Sequence, residues 1–567
     1  MDREVGRIVE VKGTSVKAEL FELLPPFLLS KGVPVIAPRI NTYVKTRVGL
    51  DTIVCQITGE YYDEHKLGDF SGYFLDLTVK GYYDGDKFIQ GLRLLPIVAA
   101  NIELLDSEDI KRINTYEDGR SFRIGGDLYD SSQDIYLNYN GVIPSHVGIF
   151  GNTGSGKSNT LTKLLHEYSK LLNTQENGKL LIFDINNEYG GDAICELEKK
   201  RVYSLSTGIK SDRDKVPLDI DELQEDSWCI LLNATEATQR PVIKTAYHDT
   251  RGKEQYLDLI KRMIVTGQRY LVKSLQYNMS DYIQGIEKFI WHSTSEIFYC
   301  VDEFGNTVWA NNDNIITELD KLEIVVPEDK LDNFLFRLYF ATAIHIGYGT
   351  QYDFISPLLR RAEKLIADFK KVFDCSKDNI FDKKNIAVIQ LANVNKDMSE
   401  IIPAILTDHF FREQVNNKND DQIKNIINIV IDEAHNLLYE DENDIKHTNV
   451  TIEIFEKAIK EGRKFGLFLW IASQRPSDIS NTIISQMHNY FIHKLVNPYD
   501  LSRIRKAVAF LDENAINALT VLGAGECIIS GTGVNMPCFV MADQVEKKYR
   551  PNSENVVLLG EKGIFTE

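Results

Sequence analysis

The stretch HVGIFGNTGSGKSNTLTKLLHEYSKLL, residues 146–172, decides the architecture. It opens on a short apolar run, bends through a segment with three glycines, and continues as a helical pattern. A glycine-rich bend between strand and helix points backbone N–H groups into one concave anion site, and the helix adds its positive N-terminal end. The segment satisfies G-x-x-x-x-G-K-[ST] in full. Gly151, Asn152, Thr153, Gly154, Ser155, Gly156, Lys157, Ser158 and Asn159 are therefore the expected nucleotide-binding residues. Lys157 can reach the β- and γ-phosphates, and the Ser158 hydroxyl can ligate Mg²⁺, so ATP and Mg²⁺ are the expected ligands. A chance glycine-rich turn is the bland alternative, and the flanking strand and helix weigh against it.

Working outward, KLLIFDI (179–185), WCILL (228–232), AVIQLAN (387–393), NIVIDEA (428–434) and LFLWIAS (467–473) are further continuous apolar runs. Such runs between helical patterns predict a parallel sheet buried on both faces. A phosphate loop needs an acidic element at the end of another strand, and INIVIDEA (427–434) supplies it. Asp432 is expected to hold the Mg²⁺ water shell and Glu433 to polarise the attacking water. Acids that merely favour a helix N-terminus are the rival explanation. His435 completes a DEAH tetrapeptide, but the arginine-rich motif of that helicase class is absent downstream, so His435 is read as packing or orienting. About 40 residues on, Ser473-Gln474 closes another strand, where a side-chain amide can hydrogen-bond the γ-phosphate or the water.

The order GNTGSGKS, FDINNEYGG (183–191), IDEAH, KEGRKFGL (460–467) and SQRP resembles the HerA branch of the HerA/FtsK superfamily. The resemblance implies a RecA-like ATPase core with an N-terminal β-barrel and a helical insertion. It implies a homohexamer that translocates double-stranded DNA. Gln474 matches the sensor glutamine, and Arg463 stands where an arginine reaches the neighbouring subunit's nucleotide, with Arg475 as its rival. Glu188 matches an acidic position after the second core strand, where a catalytic or Mg²⁺-linked role and a helix-capping role both stay open. The chain departs from the family at Asn187, where glycine is usual before EY. Relatives of this kind work with a partner nuclease such as NurA, or stand beside antiphage effectors, a nuclease or a sirtuin-like NAD-degrading enzyme. Two functions follow: a DNA motor, or an ATP-switched scaffold that controls an effector. A transporter ATPase or small-molecule kinase is disfavoured, because neither LSGGQ nor an arginine-rich lid is present.

The predicted boundaries are a β-barrel over 1–125, a polar linker over 105–140, core segments over 141–235 and 426–545, a helical insertion over 236–425 and a tail over 546–567. The barrel rests on β-rich runs at 5–11, 16–21, 46–61, 73–83 and 88–96. A β-hairpin is expected from ECIISG (526–531) and PCFVMADQV (537–545). The net charge of -19 excludes a protein basic over its whole surface, though a ring can confine cations to its channel. Candidate DNA cations are Lys199-Lys200-Arg201, Lys210 to Lys215, and Arg360-Arg361. Seven scattered cysteines without CxxC spacing, no signal peptide and no membrane-length apolar run fit a reducing cytoplasm.

Overall fold

The computed structural model describes residues 4–552, apart from 26, 31–32, 37–38, 64–71, 86, 114–115, 117–119, 131–132, 175–176, 209–213, 376–378, 419–422, 440–449, 509–510 and 512. Two compact units result: 1–202 with 383–390 and 410–567, and 203–382 with 391–409.

The first unit contains a closed barrel. Six strands, Glu4–Lys12, Ser15–Leu20, Tyr43–Val48, Asp51–Asp63, Gly72–Asp84 and Asn101–Leu104, form it, and Ser15–Leu20 pairs with Gly72–Asp84 to close it. Alternating residues such as Ile8, Ala18, Val44, Ile57, Leu77 and Ile102 fill the interior. The run read as one strand over 46–61 is two strands, because Gly49 takes a left-handed φ of +64° and turns the chain after Val48. The last expected barrel strand shortens to Lys87–Gln90.

The same unit contains an eleven-stranded sheet. In spatial order its strands are Asp134–Asn138, Ser121–Asp127, Cys538–Ala542, Glu526–Gly531, Asn489–His493, Val147–Phe150, Leu467–Ser473, Ile426–Ile431, Gly178–Asp184, Ile386–Gln390 and Lys200–Ser204. The strands from Asn489–His493 to Ile386–Gln390 run parallel, and those from Glu526–Gly531 to Asp134–Asn138 continue antiparallel. Val147–Phe150 and Leu467–Ser473 are buried at every residue, which is why they read as unbroken apolar runs. Asn428, fully buried in Ile426–Ile431, donates to the Ile143 carbonyl at 2.6 Å and accepts from the Tyr168 hydroxyl at 2.9 Å.

Several expectations change. The span 105–140 is no plain linker: it carries a helix, Ser107–Ile113, and the two strands that extend the sheet. The first four residues of WCILL lie in a helix, Glu225–Leu231, of which only Ser227, Trp228 and Cys229 are buried, and Leu232 caps it; an apolar run of five residues does not separate strand from helix. Ile386–Gln390 belongs to the large sheet although it falls inside the span read as the insertion. The hairpin at 526–542 forms as expected. Of the tail, residues 553–567 lie outside the described residues.

The second unit is mainly helical. Its longest helices are Lys330–Gly347 and Tyr352–Val372, and the Trp228 ring stacks on Phe334 with centroids 3.9 Å apart. A small three-stranded sheet, Ile290–His292, Ile297–Val301 and Thr307–Trp309, and two short strand pairs accompany the helices. Among the described residues no helix is long and apolar enough to cross a membrane.

Candidate nucleotide site

The strand order sets the site. Val147–Phe150 leads into the glycine-rich loop, and Ile426–Ile431 leads into Asp432-Glu433. Leu467–Ser473 runs between them and ends at Gln474. In parallel register these three carboxyl ends lie side by side, the place where open α/β sheets bind ligands.

The loop is tightly held. Gly154 and Gly156 have φ of +74° and +106°. A Cβ on Gly156 would lie 2.8 Å from both Cα and N of Gly525, so glycine is required there for two reasons. The Gly525 N–H donates to the Ser155 carbonyl at 2.9 Å, and the Asn152 N–H donates to the Lys494 carbonyl at 2.9 Å. His493 packs beneath; burial pushes its imidazole down to about 4, so the ring is neutral. The helix Lys157–Leu172 starts at the end of this loop.

The polar residues converge. Lys157 Nζ lies 3.3 Å from Glu433 Oε1. The same oxygen accepts a hydrogen bond of 2.6 Å from Gln474 Nε2. The Thr153 hydroxyl donates to Gln474 Oε1. Glu433 has φ +49° and ψ +44°, a left-handed conformation that a non-glycine residue keeps only when its surroundings enforce it. Glu433 stands at the N-terminal end of the short turn Ala434–Asn436, and its side chain makes no capping hydrogen bond there. Glu433 Oε2 is buried, accepts no hydrogen bond and lies 3.4 Å from His435 Nδ1. Burial lowers the His435 imidazole below its ordinary value, against the pull of the Glu433 charge. Asp432 Oδ1 accepts the Glu433 N–H at 2.8 Å, and Oδ2 accepts the Tyr189 hydroxyl at 2.8 Å. Burial raises the Asp432 carboxyl, against the pull of the Lys157 ammonium.

Next to this pair lies the loop after Gly178–Asp184. Asp184 accepts the N–H groups of Glu188 and Tyr189 at 2.8 and 2.9 Å. Asn187 has φ +61°. Asparagine tolerates this left-handed backbone better than most residues that carry a side chain. Glu188 Oε2 is buried without a partner, and burial, then the Asp432 charge, raises its carboxyl.

Other expected residues stand elsewhere. Asn159 turns away from the loop and donates to the Asp543 carbonyl at 2.9 Å. Arg463 is exposed in the short helix Gly462–Phe465, ahead of Leu467–Ser473. A strand of that length puts it about 20 Å from Gln474, at the other end of the sheet. Arg475 lies beside Gln474, 3.7 Å from Asp478 and largely exposed. Lys200 is buried, so it is no DNA contact: its ammonium donates to the carbonyls of Tyr189 and Ala193 at 2.8 and 2.5 Å. Arg361 likewise holds the chain, donating to the Leu232 carbonyl at 2.7 Å and to Gln239 Oε1 at 2.6 Å. Of Lys210 to Lys215, residues 210–213 lie outside the described residues. Sequence reasoning missed Tyr189, Asp184 and His493. Only the first two carried a signal, as neighbours of Glu188 in the segment after a core strand.

A phosphate loop, an acidic pair two strands away and a polar residue on the strand between them define a RecA-like P-loop ATPase. Residues 122–410 match the family description "Helicase HerA, central domain", and residues 403–548 match "Helicase HerA-like C-terminal". The chain belongs to this family of helicase ATPases. It is 26% identical over 472 residues to the DNA double-strand break repair helicase HerA of Sulfurisphaera tokodaii, covering 82% of this chain and 77% of that one. It is 21% identical over 499 residues to the namesake protein of Pyrococcus furiosus, covering 85% and 79%. Among solved structures it is similar to VirB4 of Thermoanaerobacter pseudethanolicus, at 13% identity and TM-score 0.44, covering 76% of this chain and 99% of that one.

Proposed function

We propose that the chain is an ATP-driven motor of HerA type, a homohexamer that moves on double-stranded DNA. The observation that carries the reading is the meeting of Lys157, Glu433 and Gln474 at three adjacent strand ends. Gly151–Ser158 cradle the triphosphate with backbone N–H groups, and Lys157 leaves Glu433 to hold the β- and γ-phosphates. Oxygen donors fit Mg²⁺: Ser158 and Asp432 would hold it, and Glu188 and Glu433 each keep a buried carboxylate oxygen without a hydrogen-bond partner, with Glu188 close enough to feel the Asp432 charge. When bound, the ion neutralises charge on the phosphates. Glu433 orients and deprotonates the attacking water, and Gln474 links it to Thr153 and so to nucleotide state.

Arg463 stands too far from its own Gln474 to touch the same nucleotide, which supports a role in the neighbouring subunit's site. On this reading any cutting of DNA belongs to a partner chain, a NurA-like nuclease or an antiphage effector such as a nuclease or sirtuin-like NADase.

The test is ATP turnover with and without duplex DNA. Lys157→Ala should lose turnover and nucleotide binding. Glu433→Gln should keep binding and lose roughly 10²–10⁴-fold in turnover. Arg463→Ala should bind ATP yet hydrolyse it poorly, and mixing with Lys157→Ala subunits should restore turnover in part. Normal hydrolysis by Arg463→Ala removes the finger assignment. Turnover and movement indifferent to DNA, with an effector whose activity follows the nucleotide, would replace the motor by the scaffold.

A further inference from the structure

Within the segment FDINNEYGG, the side chain that follows Glu188 makes the contact that reaches the metal-side acid. Tyr189 is fully buried, and its hydroxyl donates to Asp432 Oδ2 at 2.8 Å. The backbone around it is fixed on both sides. Asp184 accepts its N–H at 2.9 Å, and the buried Lys200 ammonium donates to its carbonyl at 2.8 Å. The loop also holds two strained residues, Asn187 and Ile194, with φ of +61° and +73°. Ile194 is β-branched, so that conformation persists only under constraint. Its N–H donates to the Tyr549 carbonyl at 3.0 Å, and its carbonyl lies 2.6 Å from His166 Nδ1.

Asp432 therefore has one donor on each oxygen, the Glu433 N–H on Oδ1 and the Tyr189 hydroxyl on Oδ2. A carboxylate held by one donor can rotate about its Cβ–Cγ bond; held by two, it cannot without breaking one. Each oxygen keeps a lone pair for a further ligand. Partners of this kind orient a metal-binding carboxylate and sustain the affinity of the site.

We propose that Tyr189 is a positioning residue for Asp432, setting the carboxylate that receives the divalent ion of ATP. The proposal rests on the reading of Asp432 as the Mg²⁺-side acid. Packing alone is the competing role, and Tyr189→Phe separates the two, because it keeps the ring and deletes the donor.

The experiment uses the full chain and the fluorescent probe mant-ATP, titrated with MgCl₂ and, separately, in EDTA. Tyr189→Phe should need about tenfold more Mg²⁺ to reach half of the metal-dependent gain in mant-ATP binding. Its metal-free affinity should stay at the wild-type value, and kcat should fall while KM at saturating Mg²⁺ changes little. Lys200→Met, which frees the Tyr189 carbonyl but spares the hydroxyl, should shift the Mg²⁺ midpoint in the same direction by less. An unchanged midpoint in folded Tyr189→Phe overturns the proposal; if that variant does not fold, an unchanged midpoint in Lys200→Met does so. Asp432→Asn serves as the separate control. If it shifts the midpoint and Tyr189→Phe does not, only the positioning role falls. If Asp432→Asn leaves the midpoint in place, the metal reading itself falls.

Discussion

Gly156 concentrates the demands of the phosphate loop in one residue. Its φ of +106° is open to glycine alone at little cost, and the Gly525 backbone closes the space a side chain would use. Gly156→Ala should displace the loop, cost about 2 kcal/mol in stability and weaken mant-ATP binding at least tenfold. Equilibrium titration and a thermal melt would check both; unchanged affinity would show that the loop tolerates the methyl group. At this scale the sequence was informative where chemistry needs a fixed residue type. Lys157, Glu433 and Gln474 were recognisable because strand ends and the spacing of a phosphate loop constrain them. Tyr189 carried only its place beside Glu188, since the hydrogen bond that gives it value spans 243 positions of chain.

Among the elements, the strand Ile426–Ile431 has a polar residue where its neighbours are apolar. Asn428 ties the strand to the segment before the phosphate loop, through the Ile143 carbonyl, and to the helix after it, through Tyr168. Asn428→Ala would leave a buried carbonyl and a buried hydroxyl without partners, at a cost of about 3 kcal/mol. Chemical denaturation would measure it, and a change below about 1 kcal/mol would mean that the two groups find other partners. The parallel strands were legible because burial on both faces writes itself as unbroken apolar runs. WCILL shows the limit of that signal: five apolar residues suit a buried helix turn as well as a strand, and tertiary packing around Trp228 decided the matter. The strands Ser121–Asp127 and Asp134–Asn138 were hidden for the opposite reason. Ser121–Asp127 carries Gly125-Gly126 and a register shift after Arg123 that interrupts its alternation, and Asp134–Asn138, though alternating, is only five residues long.

Over the whole molecule, buried imidazoles set an acid limit. Burial lowers His146 to about 3 and His493 to about 4, both below the value of 6.5 in an open chain. The unfolded chain therefore takes up these protons first. Their contribution is fully present above pH 6.5 and is lost as pH falls toward about 4, at about 1.4 kcal/mol per pH unit for each ring. Unfolding midpoints measured across that window should fall steadily, and His493→Gln should make the slope shallower. A flat profile would mean that the rings are not neutral in the folded state. Domain outlines were legible only coarsely, because a strand of the large sheet, Ile386–Gln390, sits between two stretches of the second unit. That stitching has a consequence for engineering and for descent. The helical unit is not a cassette that one cut and one join can lift out. Removing it takes two excisions around a retained pentapeptide, so truncations that ignore the return strand would unravel the sheet beside Asp184, and natural changes in length have to fall between these fixed seams.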